Sequence, residues 1–148
     1  MPITPFHFGP GLFFKSLKPP RFSFVSFLLS QILIDLEPAY HLLKGHEQLH
    51  GSLHSFAGSL GIVIILLPLY KLKKFGDLKE VCFSALIGVW SHVLLDSIMH
   101  TDMAPFWPFS QQNPFLDVIS LHMLHLLCLF MGILGGLLLY LRLGTKSL

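Results

Sequence analysis

The sequence predicts an all-α integral membrane protein, a four-helix bundle preceded by a short N-terminal half-membrane or re-entrant segment. Three observations carry that expectation. Just over half of the 148 residues are hydrophobic and only 12% are charged, which is the composition of a membrane domain rather than a soluble one. The apolar residues collect in four stretches, at about 22–36, 55–70, 81–99 and 118–141. Polar chemistry is sorted between the ends of those stretches. Six of eight acidic residues and eight of nine histidines fall at one end, and nine of ten lysines and arginines at the other.

Each element follows in order within one domain, 1–148. The stretch from His7 to Lys18 is about 16 Å long if helical, too short to cross a bilayer. Its Gly-Pro-Gly sequence at Gly9, Pro10 and Gly11 fits a re-entrant element buried against other helices, or a short interfacial helix with an exposed His7. The first apolar stretch follows Lys15, Lys18 and Arg21 as a signal peptide would. No small-x-small cleavage site follows it, so the segment is expected to be retained. Pro38 is expected to stop this helix. A full crossing takes roughly 20 residues, so the first two spans are short and their polar ends should sit below the lipid surface. In the fourth span Gly132 and Gly136 form a small-xxx-small pair that lets helices approach closely.

Orientation follows from the positive-inside rule. Lys15, Lys18 and Arg21, then Lys71, Lys73, Lys74 and Lys79, then Arg142 and Lys146 place both flanks on the cytoplasmic side. The loops Glu37 to His54 and His100 to Asp117 should face outward, with Phe106, Trp107 and Phe109 as an interfacial aromatic belt. Cys82 and Cys128 lie inside apolar stretches and read as free buried thiols. No basic patch with interleaved aromatics lies outside the membrane flanks, which excludes nucleic acid as a partner.

The histidines and carboxylates carry the chemistry. Heights estimated at 1.5 Å per residue put Asp35, His54, His92 and His125 all roughly 18–25 Å above the lysine-bearing ends of their helices, so they reach a similar level. Charged or imidazole groups at that depth are costly unless paired or bound. His50 and His54, four apart, would share one helix face, as would His92, Asp96 and His100. Such nitrogen and oxygen donors suit Zn²⁺, Mn²⁺ or Fe²⁺. Asp35 and Glu37 before Pro38 offer two more carboxylates, so one or more divalent ions are expected. His100 and Asp102 lie at a helix end where solvation is equally natural. His122 and His125 read as ligands or as partners of ligating carboxylates, and His41, His46 and Glu47 as solvated loop residues.

An early His7, Asp35 with Glu37 before Pro38, His50 with His54 and Ser55, then Ser91, His92 and Asp96, and finally Trp107-Pro108 resemble the YdjM-like family. Its members are inner-membrane-bound proteins described as metal-dependent hydrolases, distantly similar to the zinc-dependent phospholipase C superfamily. The resemblance runs in order over most of the chain. It implies zinc, hydrolysis at phosphorus, and His7 as a further ligand. Two positions depart from the pattern: this chain has His50-Gly51-Ser52-Leu53-His54-Ser55 where the family commonly has HRGxTHS, and Glu37 where an Asp is usual.

The expected function is therefore a membrane-bound metal-dependent hydrolase that cleaves a phosphoester of a lipid or lipid-like substrate with metal-activated water. The expected ligands are His7, Asp35, Glu37, His50, His54, His92, Asp96 and His100. Asp35 and Glu37 are the catalytic candidates, Glu37 either ligating or acting as general base. The alternative is a non-enzymatic divalent-metal-binding or transport protein. Transport is disfavoured because the lysine-side halves of the spans read as nearly pure apolar. A metal that only staples short helices, or a heme, are further alternatives. The bilayer is the expected environment, and the sequence sets no oligomeric state.

Overall fold

The computed structural model describes residues 4–18 and 21–144, and every regular element among them is helical. Lys146, one of the cations used for orientation, lies outside the described residues. A 3-10 turn, Thr4–His7, leads into α1 (Phe8–Leu17). Pro10 sits in its first turn, where the missing N–H would have no helical acceptor. α2 (Phe24–Ile34) is N-capped by Ser23, whose hydroxyl accepts the Ser26 amide. α3 (Leu36–Leu43) restarts after the single residue Asp35. Pro38 therefore does not stop the first apolar helix. It occupies the first turn of α3, where proline is tolerated, and the break falls at Asp35.

The second apolar stretch is helical over less of its length than expected. Ser55–Ser59 form turns, α4 covers Leu60–Leu66, and the chain then tightens into a 3-10 run, Leu67–Lys71. Gly76 takes φ 108°, a left-handed conformation that favours glycine. α5 (Leu78–Met99) then starts on a capping box formed by Asp77 and Glu80. α6 runs Leu121–Gly144. Among the described residues, two helices are long and apolar enough to cross a membrane, over Leu78–Met99 and Leu121–Arg142.

Close backbone approaches set the arrangement. α2 and α5 run parallel: the Ser23 amide donates to Ser84 Oγ at 2.8 Å and Gln31 Nε2 to the Gly88 carbonyl at 2.8 Å. A Cβ on Gly88 would meet Ser30 Oγ at 1.9 Å, so only glycine permits this contact. α1 descends along α6 in the same direction. Gly9 lies against the Cys128 carbonyl, and the Arg142 guanidinium donates to the Ser16 carbonyl. Gly132 packs on Gly9, where a Cβ would fall 3.4 Å from the Gly9 Cα, and a Cβ on Gly136 would meet only the Leu12 side chain at 3.6 Å. Of the α6 glycines it is Gly135 that approaches most tightly, with a Cβ 2.6 Å from Leu12 and Phe13 backbone atoms.

Burial separates the two long helices. The apolar window of α5 is 56% buried and that of α6 only 17%, so α5 is the central helix. One core, including Ile34, Ile62, Val63, Leu66, Val89 and Val93, fills the space between α2, α4 and α5. Leu95, Leu124 and Cys128 join α5 to α6. The outer face of α6 is an apolar stripe at helical spacing, with Phe130 and Ile133 61% and 66% exposed. The lysine-side half of the bundle is less purely apolar than its sequence reads. Ser16, Ser26, Ser30 and Ser84 are fully buried. Short local bonds satisfy several of them, such as Ser16 Oγ to the Phe13 carbonyl (2.6 Å) and Ser30 Oγ to the Phe27 carbonyl (2.7 Å).

Candidate metal centre

The hinge at Asp35, the descent of α1 from His7 and the last turns of α5 meet at the end opposite the lysines. There Asp96, 2% exposed, becomes the hub. Its Oδ2 lies 3.1 Å from His92 Nε2, 3.9 Å from His54 Nε2 and 3.9 Å from His50 Nε2. Its Oδ1 lies 3.4 Å from His7 Nε2. Asp35 Oδ1 closes on His92 Nε2 from another side at 3.1 Å. Donor atoms of Asp35, His54, His92 and Asp96 all fall within 4.8 Å of one another, and so do those of His50, His100 and Asp102. These buried groups could hold a metal ion.

His50 and His54 reach the site by a route the spacing did not predict. They are not one face of a helix: His50 has no regular structure and His54 ends a 3-10 turn, Ser52–His54. Two carboxylates capture the amides that a helix would have used. Asp102 Oδ2 accepts the Leu49 and His50 amides at 2.9 and 3.1 Å. Glu37 accepts the Gly51 and Leu53 amides, both at 3.2 Å. A Cβ on Gly51 would fall 2.5 Å from Glu37 Oε1, so the glycine makes room for that carboxylate.

The same two carboxylates hold the rings. His50 Nδ1 donates to Asp102 Oδ1 at 2.8 Å and His54 Nδ1 to Glu37 Oε2 at 3.1 Å. A third ring is held from the helix interior. Gln31 Nε2 donates to the Gly88 carbonyl, which fixes the amide so that Oε1 accepts from His92 Nδ1 at 2.7 Å. Each neutral ring with its proton on Nδ1 keeps a lone pair on Nε2, and all three Nε2 atoms face Asp96. Glu37 therefore stands on the far side of His54 from the cluster. Burial pushes its carboxyl up, but the His54 ring and the loop amides outweigh that and hold it below its ordinary value. Burial likewise raises Asp102, yet the His50 amide and ring and the Leu49 amide bring it down to about 2. Burial and the neighbouring His50 lower His100.

His92 Nε2 exposes the central problem of the site. With Nδ1–H committed to Gln31, the nitrogen faces two carboxylate oxygens at 3.1 Å. A bare lone pair there would be repelled, so a positive charge must sit between them, as a proton or a cation. His54, His92 and His100 each bury an Nε2 with no hydrogen-bond partner among the described residues. Such atoms cost free energy unless something binds them. The donor set fits a divalent cation.

Other sequence candidates lie elsewhere. His125 stacks on Phe6 with ring centroids 4.3 Å apart, and His122 is exposed. His46 and Glu47 are exposed, whereas His41 Nδ1 pairs with the Leu49 carbonyl at 2.7 Å. Sequence reading missed Gln31 and undervalued Asp102. The signal for Gln31 was present: one amide in an apolar helix, four residues before Asp35. Beside the cluster opens a cavity of about 610 Å³ with His7, Asp35, His50, Asp96 and His100 on its polar wall. Pro38, Ala39, Leu42, Leu43 and Leu49 form its apolar wall.

No curated protein and no solved structure matches the chain significantly. The family model described as YdjM inner membrane protein matches residues 14–146, leaving His7 just outside the matched segment. With that match spanning most of its length, the chain belongs to the YdjM inner membrane protein family.

Proposed function

We propose that this chain is a membrane-embedded metal-dependent hydrolase that cleaves a phosphoester of a lipid or lipid-like substrate. The observation that carries the reading is the convergence of three buried imidazoles on Asp96. Each is held at Nδ1 by an oxygen and presents Nε2 to the same carboxylate. Three lone pairs and two carboxylates match a divalent cation better than a single shared proton.

In this reading Asp35, His54, His92 and Asp96 hold the ion, with zinc the expected metal and manganese or iron the alternatives. His50, His100 and Asp102 form a second donor set beside it, which supports more than one ion. Glu37 is a positioning residue that holds His54 rather than a ligand. His7 takes a different role from the one the resemblance implies. Its Nδ1 faces His92 Nδ1 at 3.3 Å, and two N–H groups cannot face each other there. His7 therefore carries its proton on Nε2, toward Asp96 Oδ1, and steadies that carboxylate.

A divalent cation bound here supplies Lewis acidity for a phosphoryl oxygen and activates water for attack. Asp35, half-buried on the cavity wall, is placed to take a proton from that water. The apolar wall built by α3 supports a substrate with a hydrocarbon part. Four membrane crossings, with the site in the outer half, follow from the lysines at the opposite end; the short α2 and α4 would cross with their polar ends below the surface. A transport role is disfavoured because the core between α2, α4 and α5 is closed by Ile62, Val63, Leu66 and Val89.

Metal analysis and lipid phosphoester turnover by the detergent-purified chain test the proposal together. At least one divalent ion per chain and metal-dependent turnover are expected, and His92→Ala and Asp96→Ala should abolish both. Unchanged metal content in both variants rejects the site, and metal without turnover favours a structural ion.

A further inference from the structure

At the end opposite the histidines, Lys18, Arg21, Asp77, Lys79, Glu80 and Phe83 line a cavity of about 730 Å³. It is built from the C-cap of α1, the approach to α2 and the first turns of α5. The Arg21 amide donates to the Lys18 carbonyl at 3.1 Å, which holds both cations on one turn. The Lys18 amine stands 5.5 Å from the centre of the Phe83 ring. The two acids are committed to the helix start: Asp77 Oδ1 accepts the Glu80 amide at 2.8 Å and Glu80 Oε2 the Asp77 amide at 2.9 Å. Their charge answers the positive end of α5. Among the described residues, no carboxylate lies within ion-pair distance of Lys18, Arg21 or Lys79.

Three cations without a carboxylate partner around one cavity call for an anion. The position selects which. The cavity lies at the end of a helix long and apolar enough to cross a membrane, so it opens at the bilayer surface. Phe83, one turn further along α5 and 39% exposed, supplies an aromatic face where an amphiphile turns from polar to apolar. We infer that this cavity binds the phosphate of an anionic lipid headgroup, held by Lys18, Arg21 and Lys79, with Phe83 against the first apolar part of that lipid. The inference is independent of the metal centre and of any hydrolase activity.

The test compares binding of phosphatidylglycerol and phosphatidylcholine to the full chain in detergent, read as a lipid-dependent rise in melting temperature. Phosphatidylglycerol should stabilise at lower concentration. Removing a surface cation weakens an anionic-lipid contact about fivefold, so Lys18→Gln/Arg21→Gln/Lys79→Gln should cost on the order of 100-fold. Lys71→Gln/Lys73→Gln/Lys74→Gln removes the same charge from residues that do not line the cavity, and should cost less than a few-fold. Equal losses in the two triple variants would mean diffuse surface charge and overturn the site. Equal stabilisation by inorganic phosphate alone would assign it to free phosphate instead of lipid. If the cavity triple fails to fold, Arg21→Gln and Lys79→Gln separately should each cost about fivefold, and unchanged affinity in both overturns the inference.

Discussion

Gln31→Leu isolates the step by which the fold prepares His92. The substitution keeps the approximate size of a fully buried side chain but removes the oxygen that accepts from His92 Nδ1 at 2.7 Å. Two responses are open to the ring. It can keep its proton on Nδ1 and bury it unsatisfied, at about 1–3 kcal/mol. It can instead move the proton to Nε2, which removes the lone pair facing Asp35 and Asp96. Both responses fall on the metal-binding equilibrium, so affinity should drop about 10–100-fold, or about 1.4–2.8 kcal/mol. The two estimates overlap, as they should if one hydrogen bond sets the tautomer. Gln31→Glu keeps an acceptor at the same place and should bind within a few-fold of the wild type. The assay is competition with a chromophoric chelator on detergent-purified protein, alongside far-UV circular dichroism to confirm helix content. Wild-type affinity in Gln31→Leu at unchanged helicity would refute the tautomer argument and, with it, the role given to His7.

Two further outcomes follow from the same geometry. In metal-free protein, Asp102 is held at about 2 against its ordinary 3.8. A depressed carboxyl stabilises fully above its unfolded value and loses that stabilisation as pH falls toward its folded one. Asp102→Asn should therefore melt below the wild type at pH 6, by about 1 kcal/mol given its partial exposure, and the two curves should converge between about pH 4 and 2; a constant gap across that range contradicts the role. Gly135→Ala drives a methyl into the Leu12–Phe13 backbone and should destabilise by about 1–3 kcal/mol while weakening metal binding, because α1 carries His7. Loss of stability with unaltered metal affinity would show that α1 does not position the site.

The chemistry was more legible than the path that delivers it. Depth along the apolar stretches placed Asp35, His54, His92 and His125 at one level. The first three meet around Asp96, but His54 arrives through turns and a short helix rather than the continuous helix that the arithmetic assumed, and His125 stacks on Phe6 instead. Helical spacing failed at His50 and His54, since a local period cannot report that Asp102, some fifty residues away, claims the amides a helix would need. Pro38 misled for a related reason: proline marks a boundary, but whether a helix ends before it or restarts around it depends on the hinge at Asp35. Gln31 stood out as one amide in an apolar helix, but its role was unreadable because an amide acquires its meaning only from the ring it faces.

What the sequence alone determined was an all-helical chain with apolar long helices, its metal-capable side chains gathered at one end and its cations at the other. Those features are written in composition and order, and backbone geometry converts them directly into position. Only the tertiary structure decided which nitrogen of each imidazole points inward, which carboxylate lies at the hub and which ones stand behind the rings. Those choices turn on hydrogen bonds between residues far apart in the chain, whose partners no local pattern can specify.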